Sequence, residues 1–264
     1  MLIISIIIIL LIIELIAYIY INNRYRQEDI AANNIIKRKN KFELKTIEEG
    51  KDIPKNILQT YKNTKIPAFV KKNIMKLNPK WKYHFYDDQM VKDFLLKEYG
   101  EHVLKKFNSF SKGPHKADLF RLCWLYKYGG VYIDIDVEFF ESLDNLILND
   151  MSNELFTMPL TKDRYGRIRL LNCFIITNKG NPLIKKCIEK ILEIKNNDLD
   201  DCYLLMLLTM QHVLNKDINY HFFEKNSRGS NLLLLNGDNW YIYNSKEKII
   251  ANTRYENYYD NFFH

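Results

Sequence analysis

The chain has 264 residues, 47% of them hydrophobic and 14% aromatic, which is enough for a full core and excludes an intrinsically disordered protein. Its formal charge of +7 is spread along the sequence without a helix-turn-helix, zinc-finger or RNA-binding signature, so we expect no nucleic-acid partner. The 4 cysteines lie far apart and form no CxxC pair, which argues against a zinc site or a disulfide framework and favours buried thiols.

The first segment of the chain is apolar. From Leu2 to Ile21 the run is broken by Ser5 and Glu14, and about 20 residues at 1.5 Å each make a helix of about 30 Å, the thickness of a bilayer core. A cleaved signal peptide would need a shorter apolar core with basic residues before it. We therefore predict a transmembrane anchor over residues 1–22. A charged Glu14 would be costly inside the membrane, and the sequence leaves open whether it is protonated, paired in an oligomer or tolerated as it is.

A polar stem and a globular domain follow. Residues 23–51 are charged and poor in aromatics, and we predict a stem there and an α/β domain over residues 52–264. In that domain a strand pattern at 53–61, a helical pattern at 67–77 and a second strand pattern at 81–86 alternate. Strands that alternate with helices predict a mostly parallel sheet with helices on both faces.

The first of these strand patterns ends in Gln59, Thr60 and Tyr61. In open α/β sheets, ligands collect beyond the carboxyl ends of the strands. These side chains are therefore candidates to contact a base or ribose, although ordinary turn residues would produce the same pattern.

A later helical pattern, which Pro114 begins, carries Asp118 and Arg121. Because they are three residues apart, they lie side by side on one face of the helix. A surface ion pair worth less than about 1 kcal/mol would explain them. Alternatively, Arg121 reaches a phosphate or sugar and Asp118 orients it, in keeping with the bidentate anion contacts of guanidinium groups.

The stretch from Gly129 to Asp136 follows this helix. Two glycines end the helical pattern, an apolar run predicts a buried strand, and the strand leads to Asp134 and Asp136. If the tip stays extended, the two carboxylates point to the same face, roughly 6.6 Å apart. Hard oxygen ligands on one face can share a divalent cation such as Mg²⁺ or Mn²⁺, which would hold a diphosphate.

Four motifs occur in order along the chain. They are Ile53-Pro54-Lys55-x-Ile57-x-Gln59-Thr60-Tyr61, Asn78-Pro79, Lys116-Ala117-Asp118-Leu119-Phe120-Arg121 and Gly129-Gly130-Val131-Tyr132-Ile133-Asp134-Ile135-Asp136. This ordered set resembles the DXD sugar transferases of glycosyltransferase family 32, which include fungal α-mannosyltransferases and enzymes that mannosylate inositol phosphoceramide. The resemblance covers roughly residues 53–146.

The resemblance implies a GT-A fold, a nucleotide-sugar donor such as GDP-mannose or a UDP-hexose, and Mn²⁺ or Mg²⁺. It also implies transfer of a hexose, with retention at the anomeric carbon, to a glycan, glycoprotein or glycolipid acceptor. Asp136 would be the principal metal ligand and Asp134 would face the donor or the metal shell, while Asp118 and Arg121 would hold the donor sugar. These four residues would form the catalytic set. The other implied donor-binding positions are Gln59, Thr60, Tyr61, Gly130 and Tyr132.

Beyond this region the resemblance weakens. Asn172 lies in a strand pattern that resembles the family's asparagine-containing strand, so it is a candidate to contact the acceptor or the donor sugar. Alternatively, it is a residue at a strand edge whose side chain forms hydrogen bonds with backbone groups. The His usual in the first strand is Leu58 here. Where relatives often place a metal-binding His near the C-terminus, this chain offers Asn252 as a weaker oxygen ligand and Arg254 as a contact to the diphosphate.

Two rival functions remain. The sequence Asp134-Ile135-Asp136-Val137 also fits the DxDx[TV] signature of haloacid dehalogenase-type phosphatases, although that motif normally lies on a domain's first strand. The absence of a His at that position, with none until His264, motivates a second rival, a membrane-tethered relative that binds sugar nucleotides without turnover.

Location and two further segments complete the predictions. We expect a single-pass protein of an endomembrane such as the Golgi, or of a viral membrane. Orientation is open: basic residues such as Arg24 and Arg26 after the apolar segment favour a cytoplasmic body, whereas a lumenal sugar transferase needs the opposite. The basic loop 162–169 is either solvated or a grip for an anionic acceptor, and the aromatic tail 255–264 is a core or lid segment.

Overall fold

The computed structural model describes residues 2–151, 154–162, 167–195, 198–199, 202, 204–214, 222–226 and 240–253. Arg254, the aromatic tail 255–264 and residues 163–166 of the basic loop therefore lie outside the described residues. The helices are α1 Leu2–Lys37, α2 Ala68–Leu77, α3 Asp88–Tyr99, α4 Glu101–Ser109, α5 Gly113–Tyr128, α6 Leu143–Asp150, α7 Pro182–Leu192 and α8 Leu205–Leu214. The strands are β1 Asn56–Thr60, β2 Lys82–Tyr86, β3 Gly130–Ile133, β4 Glu138–Phe139, β5 Phe156–Thr157, β6 Leu160–Lys162, β7 Ile168–Leu170, β8 Phe174–Thr177, β9 Phe222–Asn226, β10 Trp240–Asn244 and β11 Ile249–Asn252.

Helix α1 runs without a break through the predicted anchor and into the predicted stem. Its first part exposes large apolar side chains from Ile4 to Tyr20, and among the described residues it is long and apolar enough to cross a membrane. Its second part is not a free polar stem, because Glu28, Ala32 and Ile35 are buried and the last two join the main core. Their spacing of four and three residues marks one face of a helix.

A five-stranded sheet, in the order β2, β1, β3, β8, β5, forms the centre of the body. The pairs β1–β2 and β1–β3 are parallel, whereas β3–β8 and β5–β8 are antiparallel. The α/β class with flanking helices is confirmed, but the sheet is mixed and the expected parallel arrangement holds on one side. Parallel neighbours need a long crossover, usually a helix, and the described residues between β5 and β8 contain none.

A second sheet continues from the end of the motif region. Its six strands follow the order β4, β11, β10, β9, β6, β7, and its pairs are antiparallel apart from β6–β9. Because β4 begins at Glu138, two residues after Asp136, this sheet holds the chain directly after the two aspartates.

The core covers both faces of the central sheet. Leu58 and Tyr132 belong to the cluster that also contains buried residues of α5 and α7, whereas Ile57, Val131 and Ile133 belong to the opposite cluster. This alternation follows from the period of two along a strand and makes the sheet a fixed platform for the residues at its edge. The four cysteines are buried and unbridged, as the sequence predicted.

Candidate active site

Two glycines join α5 to β3. Gly129 ends the helix with φ 66°, and Gly130 has φ 112°, where a Cβ atom would lie 2.4 Å from the carbonyl oxygen of Asn56. The sequence needs glycine there because β3 approaches β1 closely. Gly130 lies at the start of β3, away from the aspartates, so its position does not support the predicted donor contact.

The strand tip that carries the aspartates is a turn. The backbone N–H of Asp134 donates to the carbonyl of Cys173 (2.7 Å), and the N–H of Val137 donates back to the carbonyl of Asp134 (3.1 Å). The tip therefore does not stay extended, because β3 ends at Ile133 and this hydrogen bond folds the chain back. Asp134 and Asp136 are nevertheless both half-buried and both face one cavity, with Ile135 buried between them.

Gln59 supports this turn from below. Its Nε2 donates to the carbonyl of Asp134 (3.3 Å), and its Oε1 accepts a hydrogen bond from the hydroxyl of Tyr83 (2.9 Å). Burial raises the pKa of Tyr83 to about 12, so this donor stays protonated. The amide is therefore engaged with the protein at both ends, and its predicted contact with the nucleoside stays a prediction.

Arg121 is the centre of a buried polar network. Its side chain is 5% exposed; Nη2 lies 3.2 Å from Oδ1 of Asp118 and Nη1 lies 3.5 Å from Oδ1 of Asp134. Nε donates to the carbonyl of Ala117 (3.2 Å), and the guanidinium carbon lies 4.2 Å from the ring centre of Tyr132. A surface ion pair is thus excluded. The contacts hold Arg121 against the turn and use most of its donors.

Further hydrogen bonds complete the network. The hydroxyl of Tyr132 donates to Oδ1 of Asp134, and Nη1 of Arg121 donates to the carbonyl of Asn172. Nδ2 of Asn172 donates to Oδ1 of Asp118 (2.6 Å). Asn172, which the sequence placed far from the motif, therefore belongs to the same cluster.

The charges in this network are partly desolvated. Burial raises the pKa of Asp118, and the charge of Arg121 opposes that shift. Desolvation by the surrounding protein raises the pKa of Asp134 as well, whereas the charge of Arg121 and the hydrogen bond from Tyr132 lower it. The Asp134 side chain is 31% exposed and still contacts solvent. Burial disfavours the charge on Arg121, but Tyr132 and the two carboxylates outweigh it and raise its pKa, so the guanidinium stays charged.

A cavity of about 390 Å³ opens at the carboxyl edge of β1 and β3. Its lining residues are Thr60, Tyr61, Lys62, Asp88, Val91, Phe107, Gly113, Pro114, Lys116, Ala117, Phe120, Arg121, Tyr132, Asp134, Ile135 and Asp136. The volume lies in the range of small-molecule sites. Six predicted residues line the cavity, whereas Gln59, Asp118, Gly130, Asn172 and Asn252 do not, so their contacts with ligands stay predictions.

The sequence analysis assigned no site role to three charged lining residues, namely Lys62, Asp88 and Lys116. The rule about carboxyl ends of strands could have found two of them, because Lys62 follows β1 and Asp88 follows β2 closely. Lys116 had a weaker signal, since a lysine on a helix surface is usually solvated.

Asn252 lies in the second sheet. It is buried at the end of β11, where it pairs in register with Glu138 of β4. This places it beside the chain that leaves the Asp134–Val137 turn. A role as metal ligand is untested by this arrangement and stays a prediction.

The residues present suit a divalent cation that arrives with a substrate. Within the described part of the chain, no group of three His, Cys, Asp or Glu side chains could hold a metal ion alone. Oδ1 of Asp134 accepts from Tyr132 and faces Arg121, whereas Oδ2 makes no hydrogen bond to the described residues. Mg²⁺ commonly takes one or two carboxylates and completes its shell with phosphate oxygens and water. Asp134 and Asp136 match that donor set.

A comparison with known protein families finds a match in the region of this site. Residues 64–153, about a third of the chain, match the family model described as "Glycosyltransferase sugar-binding region containing DXD motif". The resemblance to the DXD glycosyltransferases of family 32 is therefore confirmed, and this segment is similar to their sugar-binding region.

Particular relatives are fungal. Inositol phosphoceramide mannosyltransferase 3 of Schizosaccharomyces pombe is 35% identical over 98 residues, 36% of this chain and 27% of that protein. The initiation-specific alpha-1,6-mannosyltransferase of Candida albicans is 29% identical over 172 residues, 56% of this chain and 44% of that protein. The chain thus spans about a quarter of the first relative and less than half of the second. The solved PaToxG glycosyltransferase has a TM-score of 0.47 and 17% identity, covering 75% of this chain and 77% of that one.

Proposed function

We propose that this chain is a metal-dependent glycosyltransferase of the GT-A type, which moves a hexose from a nucleotide-sugar to a glycan or lipid acceptor. One observation carries the proposal: Arg121, Asp134 and Asp136 line a single cavity at the carboxyl edge of the sheet, within the segment that matches the sugar-binding model. That edge is where ligands bind in open α/β sheets.

In this proposal Asp134 and Asp136 hold Mn²⁺ or Mg²⁺, with Asn252 as a further oxygen ligand. The bound cation neutralises charge on the departing nucleoside diphosphate. The chain itself positions the ligands, because Arg121 and Tyr132 fix one oxygen of Asp134 and leave the other for the metal.

The remaining cavity residues receive the donor. Thr60 and Tyr61 lie on the side of β1 and would flank the nucleoside, while Lys62 and Lys116 supply positive charge for the diphosphate. Asp118 and Asn172 act through Arg121, which they hold from behind. Transfer with retention at the anomeric carbon belongs to the same proposal.

The donor and acceptor follow the relatives' names as proposals. GDP-mannose is the first donor to test and a UDP-hexose the second, and the acceptor is a glycan, glycoprotein or glycolipid. Residues 1–22 of α1 would anchor the protein once in a membrane, with residues 52–264 as the catalytic domain. This anchor rests on length, composition and the exposed apolar side chains of α1.

The test is donor turnover by the full chain in detergent with Mn²⁺. We expect nucleoside diphosphate release from GDP-mannose or UDP-glucose, loss of release with EDTA, and recovery when Mn²⁺ is restored. Asp136→Ala should abolish release, whereas Asp93→Ala, which removes the same charge from an exposed position on α3, should not.

Two outcomes would reject the proposal. Donor binding by thermal shift without turnover in the unmodified chain would indicate a binding protein. Hydrolysis of a phosphomonoester in place of the nucleotide-sugar would indicate a phosphatase.

A further inference from the structure

A second polar cavity lies at the end of the apolar part of α1. It has a volume of about 320 Å³, and its α1 wall includes Asn22, Arg26, Asp29 and Asn33. Because these residues are spaced by four, three and four positions, they share one face of the helix. Arg167, before β7, and His212 of α8 line the cavity from outside α1, and none of these residues lines the cavity beside Asp134.

The position of this cavity relative to the membrane follows from the length of the apolar part of α1. If the apolar run to Ile21 fills the hydrocarbon core, Asn22 marks its edge, and at 1.5 Å per residue Arg26 lies about 6 Å further on. The headgroup layer on each side of a bilayer is about 5–8 Å thick. The cavity therefore begins in the layer that contains lipid phosphates.

The arginines beside this cavity differ in whether they are paired with an acidic side chain. Arg24 pairs with Glu28 (3.2 Å) and Arg169 pairs with Asp29 (3.5 Å), so both acidic residues of this part of α1 are compensated. Arg26 makes no ion pair with the described residues and lines the cavity. Its positive charge is therefore available to a ligand in the cavity.

Arg167 adds a second cation beside the same part of α1. Its guanidinium carbon lies 3.6 Å from the ring centre of Tyr25, a contact that holds it against α1. Two guanidinium groups, one from each wall, suit a phosphate, because arginine binds phosphate oxygens through a planar fork of donors.

We propose that this cavity binds the phosphate of an anionic membrane lipid and so fixes the catalytic body against the bilayer. The inference rests on α1 as a membrane span but goes beyond the proposed sugar transfer. It assigns Arg26 and Arg167 to lipid recognition and leaves Arg24 outside the site.

The test compares bound lipid on the full chain. Detergent-purified protein is mixed with phosphatidylglycerol and phosphatidylcholine of the same acyl chains, and native mass spectrometry measures the ratio of the two bound. We expect a preference for phosphatidylglycerol that falls about tenfold in Arg26→Gln and in Arg167→Gln, and less than about threefold in the matched control Arg24→Gln. A surface attraction to anionic lipid would instead weaken about equally in the two α1 variants, since each loses one charge from the same layer.

Several results would overturn the proposal. These are equal losses in Arg24→Gln and Arg26→Gln, no preference for phosphatidylglycerol in the unmodified chain, or displacement of that lipid by glycerol 3-phosphate at equal concentration. Retention in phosphatidylcholine vesicles after an alkaline wash tests the span separately. If the protein stays in the vesicles and the Gln variants keep the preference, the lipid site fails while the anchor stands.

Discussion

The two ends of strand β3 are built in opposite ways. At Gly130 the backbone is packed so closely against Asn56 that a hydrogen atom is the largest group that fits. At Asp134, four residues later, the chain turns and its side chain joins a polar network with Arg121 and Tyr132 beside a cavity. The comparison shows a strand whose close-packed start supports stability and whose open end offers charge to a ligand.

The largest effect should come from the open end. Asp136→Ala removes a proposed metal ligand from the cavity but leaves β3 and its pairing intact. We expect a loss of about 10³-fold or more in kcat/KM for donor turnover, or about 4 kcal/mol. The melting temperature in metal-free buffer should change little, and a fall that matches the loss of activity would show that the residue is structural.

At the close-packed start of β3, a substitution should lower the stability of the fold by a comparable free energy. In Gly130→Ala the new Cβ would meet backbone at 2.4 Å and φ is 112°, so we expect a cost of about 3 kcal/mol in the free energy of unfolding. Gly113→Ala is the control, because nothing lies within 4 Å of its added Cβ. Urea unfolding followed by tryptophan fluorescence measures both variants, and equal stability of the two would contradict close packing at β3.

A smaller effect should follow from Arg121→Lys. Lysine keeps the charge but cannot reach Asp118, Asp134 and the Ala117 carbonyl together, as the guanidinium does. We expect kcat/KM to fall about 100-fold, or about 2.7 kcal/mol, with a higher Mn²⁺ concentration needed for half-maximal rate. An unchanged Mn²⁺ requirement would mean that Arg121 does not position Asp134.

The smallest effect concerns pH. Burial raises the pKa of Tyr83 to about 12 from an ordinary 10.0, so between these values the unfolded state loses its proton while the folded state keeps it. Stability should therefore fall as pH rises from about 10 to 12, by about 1 kcal/mol after discounting for the partial exposure of Tyr83. Tyr83→Phe should lack this component. Urea unfolding of both proteins at pH 9 and pH 11 checks the sign, and identical pH dependence would contradict it.

Local patterns were enough to predict part of the candidate active site. Pro114, the Gly129-Gly130 pair and the apolar run after it predicted α5 and β3, because capping and strand periodicity act over a few residues. The partnership of Asp118 and Arg121 followed from their helical spacing. The burial of that pair did not, since the faces that cover a helix come from distant segments.

The same limit explains what the sequence missed. The charged stretch after residue 22 looked like a free stem, although Ala32 and Ile35 had the spacing of a helical face. The partner of that face is α8, far along the chain, so local composition could not reveal the contact.

The sequence by itself determined the order of the motifs, the α/β class, the apolar N-terminal helix and the pair of aspartates that follows a buried strand. The tertiary structure alone decided that Asn172 and Gln59 hold the network and the turn, that Lys116 reaches the cavity, and that the sheet is mixed. The physical reason is distance along the chain. Capping and periodicity are set by neighbouring residues, whereas the surroundings of a carboxylate are set by segments that meet only in the folded protein.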